Sequence, residues 1–360
     1  MRVTIVAVVL VLGCAPAAVA DGRFAAVSAA MRQLVADGEV PSIAAAAARD
    51  GRILWEDACG WADHERAVPA TPQTPYSLAS ISKPFTATAV MQLVESGRLA
   101  LDRPANDYLG DARIAGSQVE RATVRRLLSH TAGLATFYRQ FDGAPPSMDE
   151  IIAQHALLTA PPGRRYVYSN LGYGILERII ERVSGRSYED VLRRGIFVPL
   201  GLQAASVPDV PSEREARRYG AGARPLPFYT LGHRGASSVY ASAHDLALFG
   251  IAHLDPRREE AAARILSPRS LAEMQRVQTP GLPGAGYGLG WRIEENRSRL
   301  RQVGHTGGMP GVTTVLSLYP SERTVVVVLT NTRSPAALRV ARQIAAHLMP
   351  LHARDLAPAE

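Results

Sequence analysis

Residues 311–330 read GVTTVLSLYPSERTVVVVLT. Two β-branched runs, 312–318 and 324–329, flank Pro320-Ser321-Glu322, which is turn chemistry, so the stretch predicts an antiparallel hairpin. Downstream, Ser334 is placed to cap a helix that has Pro335 at its first position. Leu338, Ala341, Ala345 and Leu348 space an apolar face for that helix, and Pro350 stops it. The start of the chain mirrors this. Phe24, Val27, Met31 and Leu34 form one stripe of a helix over 23–36, which Asp37-Gly38 ends. Strands over 42–48 and from 53 to about 61 follow, joined by the turn Arg49-Asp50-Gly51. Two chain ends that each offer a hairpin and a helix assemble most simply into one antiparallel sheet with both helices packed on it.

The interior of the chain changes character. Helical periodicity marks 85–96, 148–156, 171–183, 188–194 and 243–253, with turn clusters at 159–163 and 208–211. The expected class is α+β: an α/β subdomain from about 21–80 and 286–360, and an inserted, mostly helical subdomain over about 81–285. A functional site is expected in the cleft between them.

Composition narrows the function. Of 360 residues, 47% are hydrophobic and 20% charged, which fits a globular chain. Net charge is +7, but the arginines are scattered, with no long basic run of the kind a nucleic-acid surface uses. The nine histidines and two cysteines form no metal-ligand motif, and no Gly-rich phosphate loop follows a strand, so neither a metal nor a cofactor is expected. His130, His244 and His253 read as structural or exposed. The first 20 residues read as a secretory signal: a charged start, an apolar run over 3–12, and Ala18-Val19-Ala20 as the cleavage site. Leu12-Gly13-Cys14-Ala15 offers the alternative of a lipid anchor at Cys14. The expectation is an exported, cell-envelope or periplasmic monomer, free or lipid-anchored. Cys59 then has no intramolecular disulfide partner.

Three short segments carry chemistry. In Ser80-Ile81-Ser82-Lys83, the serine and lysine stand three apart, on one face of a helix start. Serine is a weak nucleophile until a base takes its proton. A neutral lysine can be that base, but lowering its pKa from about 10.4 to about 7 costs roughly 4–5 kcal/mol, to be supplied by burial and nearby positive charge. Of 40 basic residues, Lys83 is the only lysine. An amine that can lose its proton is the one property arginine cannot offer there. Pro84 removes an amide from this first turn, so an irregular or 3₁₀ start is expected. Tyr168-Ser169-Asn170 precedes the 171–183 helix. A phenol whose pKa is lowered by neighbouring cations would serve as base and then acid, and Asn170 would accept from Lys83, unless Ser169 or Asn170 only caps the helix. Third, His305-Thr306-Gly307-Gly308 precedes the hairpin quoted above. Its glycines allow close approach to the backbone, and the amides of Gly308 and Ser80 would form an oxyanion hole.

In this order, Ser-x-x-Lys, Tyr-x-Asn and His-Thr-Gly resemble the serine β-lactamase and penicillin-binding-protein superfamily, specifically its class C β-lactamase-like branch. Residues 76–80, 127–134 and 287–291 resemble that branch as well. The resemblance implies the two-subdomain β-lactamase-like fold with the site at the junction. It implies Ser80 as nucleophile, Lys83 or Tyr168 as proton acceptor, and Asn170, His305, Thr306 and Gly308 as substrate-binding residues. His305 stands where β-lactamases of this branch typically carry lysine. A partly charged imidazole would hold a β-lactam carboxylate less firmly. The implied activity is acyl transfer from a small ester, amide or D-amino-acid peptide to Ser80, then to water. A β-lactamase and a non-catalytic peptidoglycan-peptide binder are the alternatives.

Overall fold

A computed structural model describes residues 22–137, 140–141, 145–228, 230–254, 264–279, 285–296 and 298–351. The signal segment, the Ala20 cleavage site and Cys14 lie outside the described residues.

Both chain ends meet in one sheet. Strands β1 (Ser42–Arg49), β2 (Arg52–Asp63) and β3 (Val68–Pro69) come from the start. Strands β4 (Ala285–Tyr287), β5 (Arg292–Glu295), β6 (Arg301–Met309), β7 (Val312–Tyr319) and β8 (Thr324–Thr330) come from the end. The order is β3-β2-β1-β8-β7-β6-β5-β4, antiparallel throughout. The seam is β1 against β8, in register from Ile43↔Thr330 to Arg49↔Thr324.

The continuous apolar run 325–329 reflects a central strand buried on both faces. On one face, α1 (Ala25–Ala36) and α6 (Ala336–Leu348) cover Ile43, Ala45, Ala47, Val326 and Val328. On the other, α5 (Ala243–Leu254) packs its Leu246 and Phe249 in the core that holds Ala44, Ala46, Val325 and Val327. The alanines of β1 keep these layers close. On α6 the sequence reading needs one correction. Leu338 is exposed, and the buried stripe runs through Ala337, Val340, Ala341, Ile344, Ala345 and Leu348. Ser334 does act as a cap, accepting from the Ala336 amide at 3.0 Å.

The predicted irregularity at Pro84 is present. A 3₁₀ turn, Ala79–Ile81, feeds directly into α2 (Ser82–Glu95). Helix α3 (Asn170–Ser184) packs across α2, and a short helix α4 (Arg234–Ser237) closes against both.

Candidate active site

Ser80 sits on the 3₁₀ turn, half-buried, after Ala79, which has φ of +47°. A non-glycine residue in that left-handed region stores strain of about 1–3 kcal/mol and is held only by its surroundings. Those surroundings are visible. The Leu78 amide donates to Val239 O at 2.9 Å, and Thr314 Oγ1 on β7 donates to Leu78 O at 3.0 Å. Strand β6 presses on the same turn. At Gly307 any Cβ would overlap Leu78 O and Thr314 Oγ1, so only glycine lets the strand lie beside the Ser80 turn.

Lys83, one turn on, is fully buried. Its Nζ lies 3.2 Å from Ser80 Oγ, 2.9 Å from Asn170 Oδ1 and 3.1 Å from Ala236 O. The rings of Tyr168 and Tyr173 flank it at 4.7 and 5.5 Å. Burial holds the amine pKa well below its ordinary value. A neutral amine has two hydrogens and one lone pair. The carbonyl of Ala236 can only accept, and Asn170 presents its oxygen, so these two take the hydrogens. The lone pair is left for the Ser80 hydroxyl.

Asn170 is free for this task because its neighbour does the capping. Ser169 Oγ accepts from the Gly172 amide at 3.2 Å, and Asn170 opens α3 with its side chain on Lys83. Ser169 thus takes the cap and Asn170 the contact with Lys83.

The Tyr168 ring lies against the Lys83 amine, 4.7 Å from Nζ to the ring centroid, and the Ser80 hydroxyl is near enough to draw the phenol pKa down in part. The expectation of a lowered phenol pKa is corrected. Burial pushes it above the ordinary value, and the charge of Arg292 only partly offsets that. Desolvation outweighs a cation that is itself half in water. The neutral phenol suits proton relay and donation, not service as a standing phenolate.

His305 is buried on β6. Its Nδ1 lies 2.7 Å from Thr306 O, which only accepts, so Nδ1 carries the hydrogen. Nε2 then accepts from the Tyr287 hydroxyl at 2.9 Å. Burial, helped by Lys83, lowers the imidazole pKa to about 3. His305 is thus neutral at pH 7, more completely than the sequence reading of a partly charged group.

Strand alternation separates the remaining residues. His305 and Gly307 face the Ser80 turn, whereas Thr306 and Gly308 are exposed on the other face of β6. The Thr306 side chain borders a cavity with Leu338 and Arg333, so its expected place on the oxyanion side is corrected. Gly308 can act only through its main chain. Strand β5 pairs with β6 only over Arg301–Gly304, which leaves the 305–309 edge unpaired by strand on that side among the described residues. Unpaired strand amides there are available to a substrate carbonyl.

Sequence reasoning missed four contributors. Ala236 offers only a carbonyl and carries no side-chain signal. Gly307 was read for its flexibility and not for the collision it avoids. Tyr287 falls within the 287–291 stretch that resembled the family, without an assigned role, and His130, within 127–134, was read only as structural or exposed. His130 is buried beside Tyr168, with ring centroids 4.3 Å apart. Among the described residues, no group of His, Cys, Asp or Glu is arranged to hold a metal ion.

Comparison with known proteins agrees with the fold. The Beta-lactamase family model matches residues 27–349. The chain is 32% identical over 318 residues to "Penicillin-binding protein 4" of Amycolatopsis lactamdurans, covering 81% of each. Among solved structures, a class C beta lactamase from Rhodobacter sphaeroides superposes with a TM-score of 0.72 at 25% identity, covering 90% of this chain and 98% of that one. A D-stereospecific amidohydrolase from Streptomyces sp. superposes with a TM-score of 0.71 at 26% identity, covering 88% and 98%.

Proposed function

We propose, from the premise that this chain belongs to the Beta-lactamase family of serine hydrolases, that it forms an acyl-enzyme on Ser80 and hydrolyses a small ester, amide or D-amino-acid peptide. The observation that carries this reading is the buried Lys83 amine, with two carbonyl-type acceptors and the Ser80 hydroxyl as its partners. Lys83 takes the Ser80 proton as Oγ bonds to the substrate carbonyl carbon. The amides of Ser80 and Gly308 receive the oxyanion. The intermediate then collapses and the bond to the leaving group breaks. The departing oxygen or nitrogen takes a proton from the Tyr168 hydroxyl, which is resupplied from the Lys83 ammonium. Water repeats the sequence to release the acid and return Ser80.

The neutral His305 supports uncharged esters and amides over substrates gripped by a carboxylate at that position. The likeness to a class C beta lactamase favours a second reading, slow β-lactam hydrolysis by the same acyl-enzyme route. Export belongs to the proposal too, and rests on residues 1–20.

The test is covalent labelling. Purified protein is incubated separately with a fluorophosphonate and a fluorescent penicillin, and adducts are mapped by mass spectrometry. Label on Ser80 is expected from the fluorophosphonate. Absence of label from both probes refutes the acyl-enzyme reading, and label with rapid penicillin turnover promotes the β-lactamase one.

A further inference from the structure

The main chain around Tyr168 is held almost wholly by one segment, residues 130–136. The Val167 amide donates to His130 O at 2.8 Å, and the Ser169 amide donates to His130 Nδ1 at 3.0 Å. One residue therefore grips the amides on either side of Tyr168. Thr136 Oγ1 donates to Tyr168 O at 2.6 Å, and Ser169 Oγ donates to Ala135 O at 2.8 Å.

The imidazole is suited to this. A ring nitrogen that accepts an amide hydrogen cannot carry its own, so the hydrogen is on Nε2. Nε2 is buried without a hydrogen-bond partner in the protein among the described residues, and the rings of Tyr166, Tyr173 and Tyr287 surround His130 at centroid distances of 5.7, 5.1 and 4.7 Å. The residue also adopts a φ of +58°, in the left-handed region that only a few per cent of non-glycine residues occupy. A buried polar residue in a strained conformation, with one ring nitrogen used and one unsatisfied, is more than the core requires.

We infer that His130 is a positioning residue for Tyr168, its carbonyl and its Nδ1 clamping the two flanking amides so that the phenol stays on Ser80. The inference rests on the reading of Tyr168 as proton relay. Misplacing such a group by about 1 Å costs on the order of 10²-fold in rate.

A matched pair of substitutions tests it. His130→Asn and His130→Gly both tolerate the left-handed backbone and both lose the ring. Only asparagine keeps an acceptor near the Nδ1 position. The measured quantities are kcat and KM on an amide, whose leaving nitrogen draws its proton from Tyr168. The glycine variant is expected to turn over about 10- to 100-fold more slowly than the asparagine variant, in kcat and not KM. In a Tyr168→Phe background that gap closes to within about twofold, because a positioning residue has nothing left to position. Equal rates for the two variants, or a gap that persists without the phenol, overturns the inference. If either variant fails to fold, nitrogen NMR of the unaltered protein decides. A bare His130 Nδ1 with an exchange-protected Ser169 amide is expected, and a protonated Nδ1 overturns the clamp. An unaltered protein that takes no label at all refutes the acyl-enzyme reading instead.

Discussion

Asn170 Oδ1 lies 2.9 Å from Lys83 Nζ, joining residues 87 apart in sequence and using one of the amine's hydrogens on an atom that can only accept. With Ala236 O on a second hydrogen, the Lys83 lone pair is directed at Ser80 by exclusion. The basicity of Lys83 is thus set by burial and its direction by two neighbours.

Asn170→Asp would put a carboxylate at that distance. A nearby negative charge favours the ammonium form and raises the Lys83 pKa. Less neutral amine is then present at any given pH. The rising limb of the acylation rate should move to higher pH. On the acid side of the limb, labelling should fall about tenfold for every pH unit the limb moves. A pH–rate profile of Ser80 labelling reads this directly, and an unmoved limb argues against Lys83 as the base.

Lys83→Arg should abolish acylation, since a guanidinium keeps its proton in a protein. The site is fully buried and packed by two tyrosines, so the larger head should also cost roughly 1–3 kcal/mol of stability. Lys83→Met, similar in volume, should be equally inactive and better folded. Chemical denaturation and labelling, measured together, separate the two effects. Residual labelling near the native rate in either variant removes Lys83 from proton transfer.

Tyr168→Phe should discriminate between leaving groups. A neutral phenol that delivers a proton matters most when the departing atom is basic. Amide hydrolysis is expected to drop by about 10²-fold or more, the range for losing a positioned acid, and an activated nitrophenyl ester much less. Equal losses on both substrates contradict the donor role.

Gly307→Ala forces a methyl into Leu78 O and Thr314 Oγ1, both fixed by the turn and the sheet. An overpacking cost of about 1–3 kcal/mol and slower Ser80 labelling should appear together, because the same contact holds strand and nucleophile. At Gly308 nothing lies within 4 Å of an added Cβ, so stability should change by less than about 0.5 kcal/mol on Gly308→Ala. Denaturant midpoints for the two variants provide the comparison.

Acid should unfold the protein early. Burial lowers the pKa of His305 to about 3 and of His233 and His253 to about 4, and holds that of His130 well below its ordinary value. The unfolded chain binds these protons near pH 6.5 and the folded one does not. Stability is therefore full above 6.5 and falls as pH drops towards 4, by up to about 1.4 kcal/mol per pH unit for each group. Glu177 and Glu215, both raised by burial to about 7, run the other way and offset part of the slope between about 4.5 and 7. Urea titrations from pH 4 to 7 should show a net loss towards acid, reduced by about one proton in His253→Gln. A flat profile excludes buried neutral imidazoles.

Much of this was legible in the chain. The β-branched runs near the end and the turn-bounded apolar runs near the start declared the sheet, since a strand pattern is a local property of side chains. Ser80 and Lys83 were legible because three residues of helix fix their spacing, and the absence of any other lysine marked that amine as chosen for its chemistry. Sequence by itself determined the β-lactamase-like frame, and it pointed to Ser80 as nucleophile with Lys83 or Tyr168 as its base. Tertiary structure alone decided the electrostatics. It raised the Tyr168 pKa where cations had been expected to lower it, left His305 neutral, turned Thr306 away from the nucleophile, and supplied Ala236 O and the His130 clamp. These depend on burial and on which main-chain atoms converge across long stretches of chain. A carbonyl oxygen looks the same at every position of a sequence until the fold brings it within 3.1 Å of an amine.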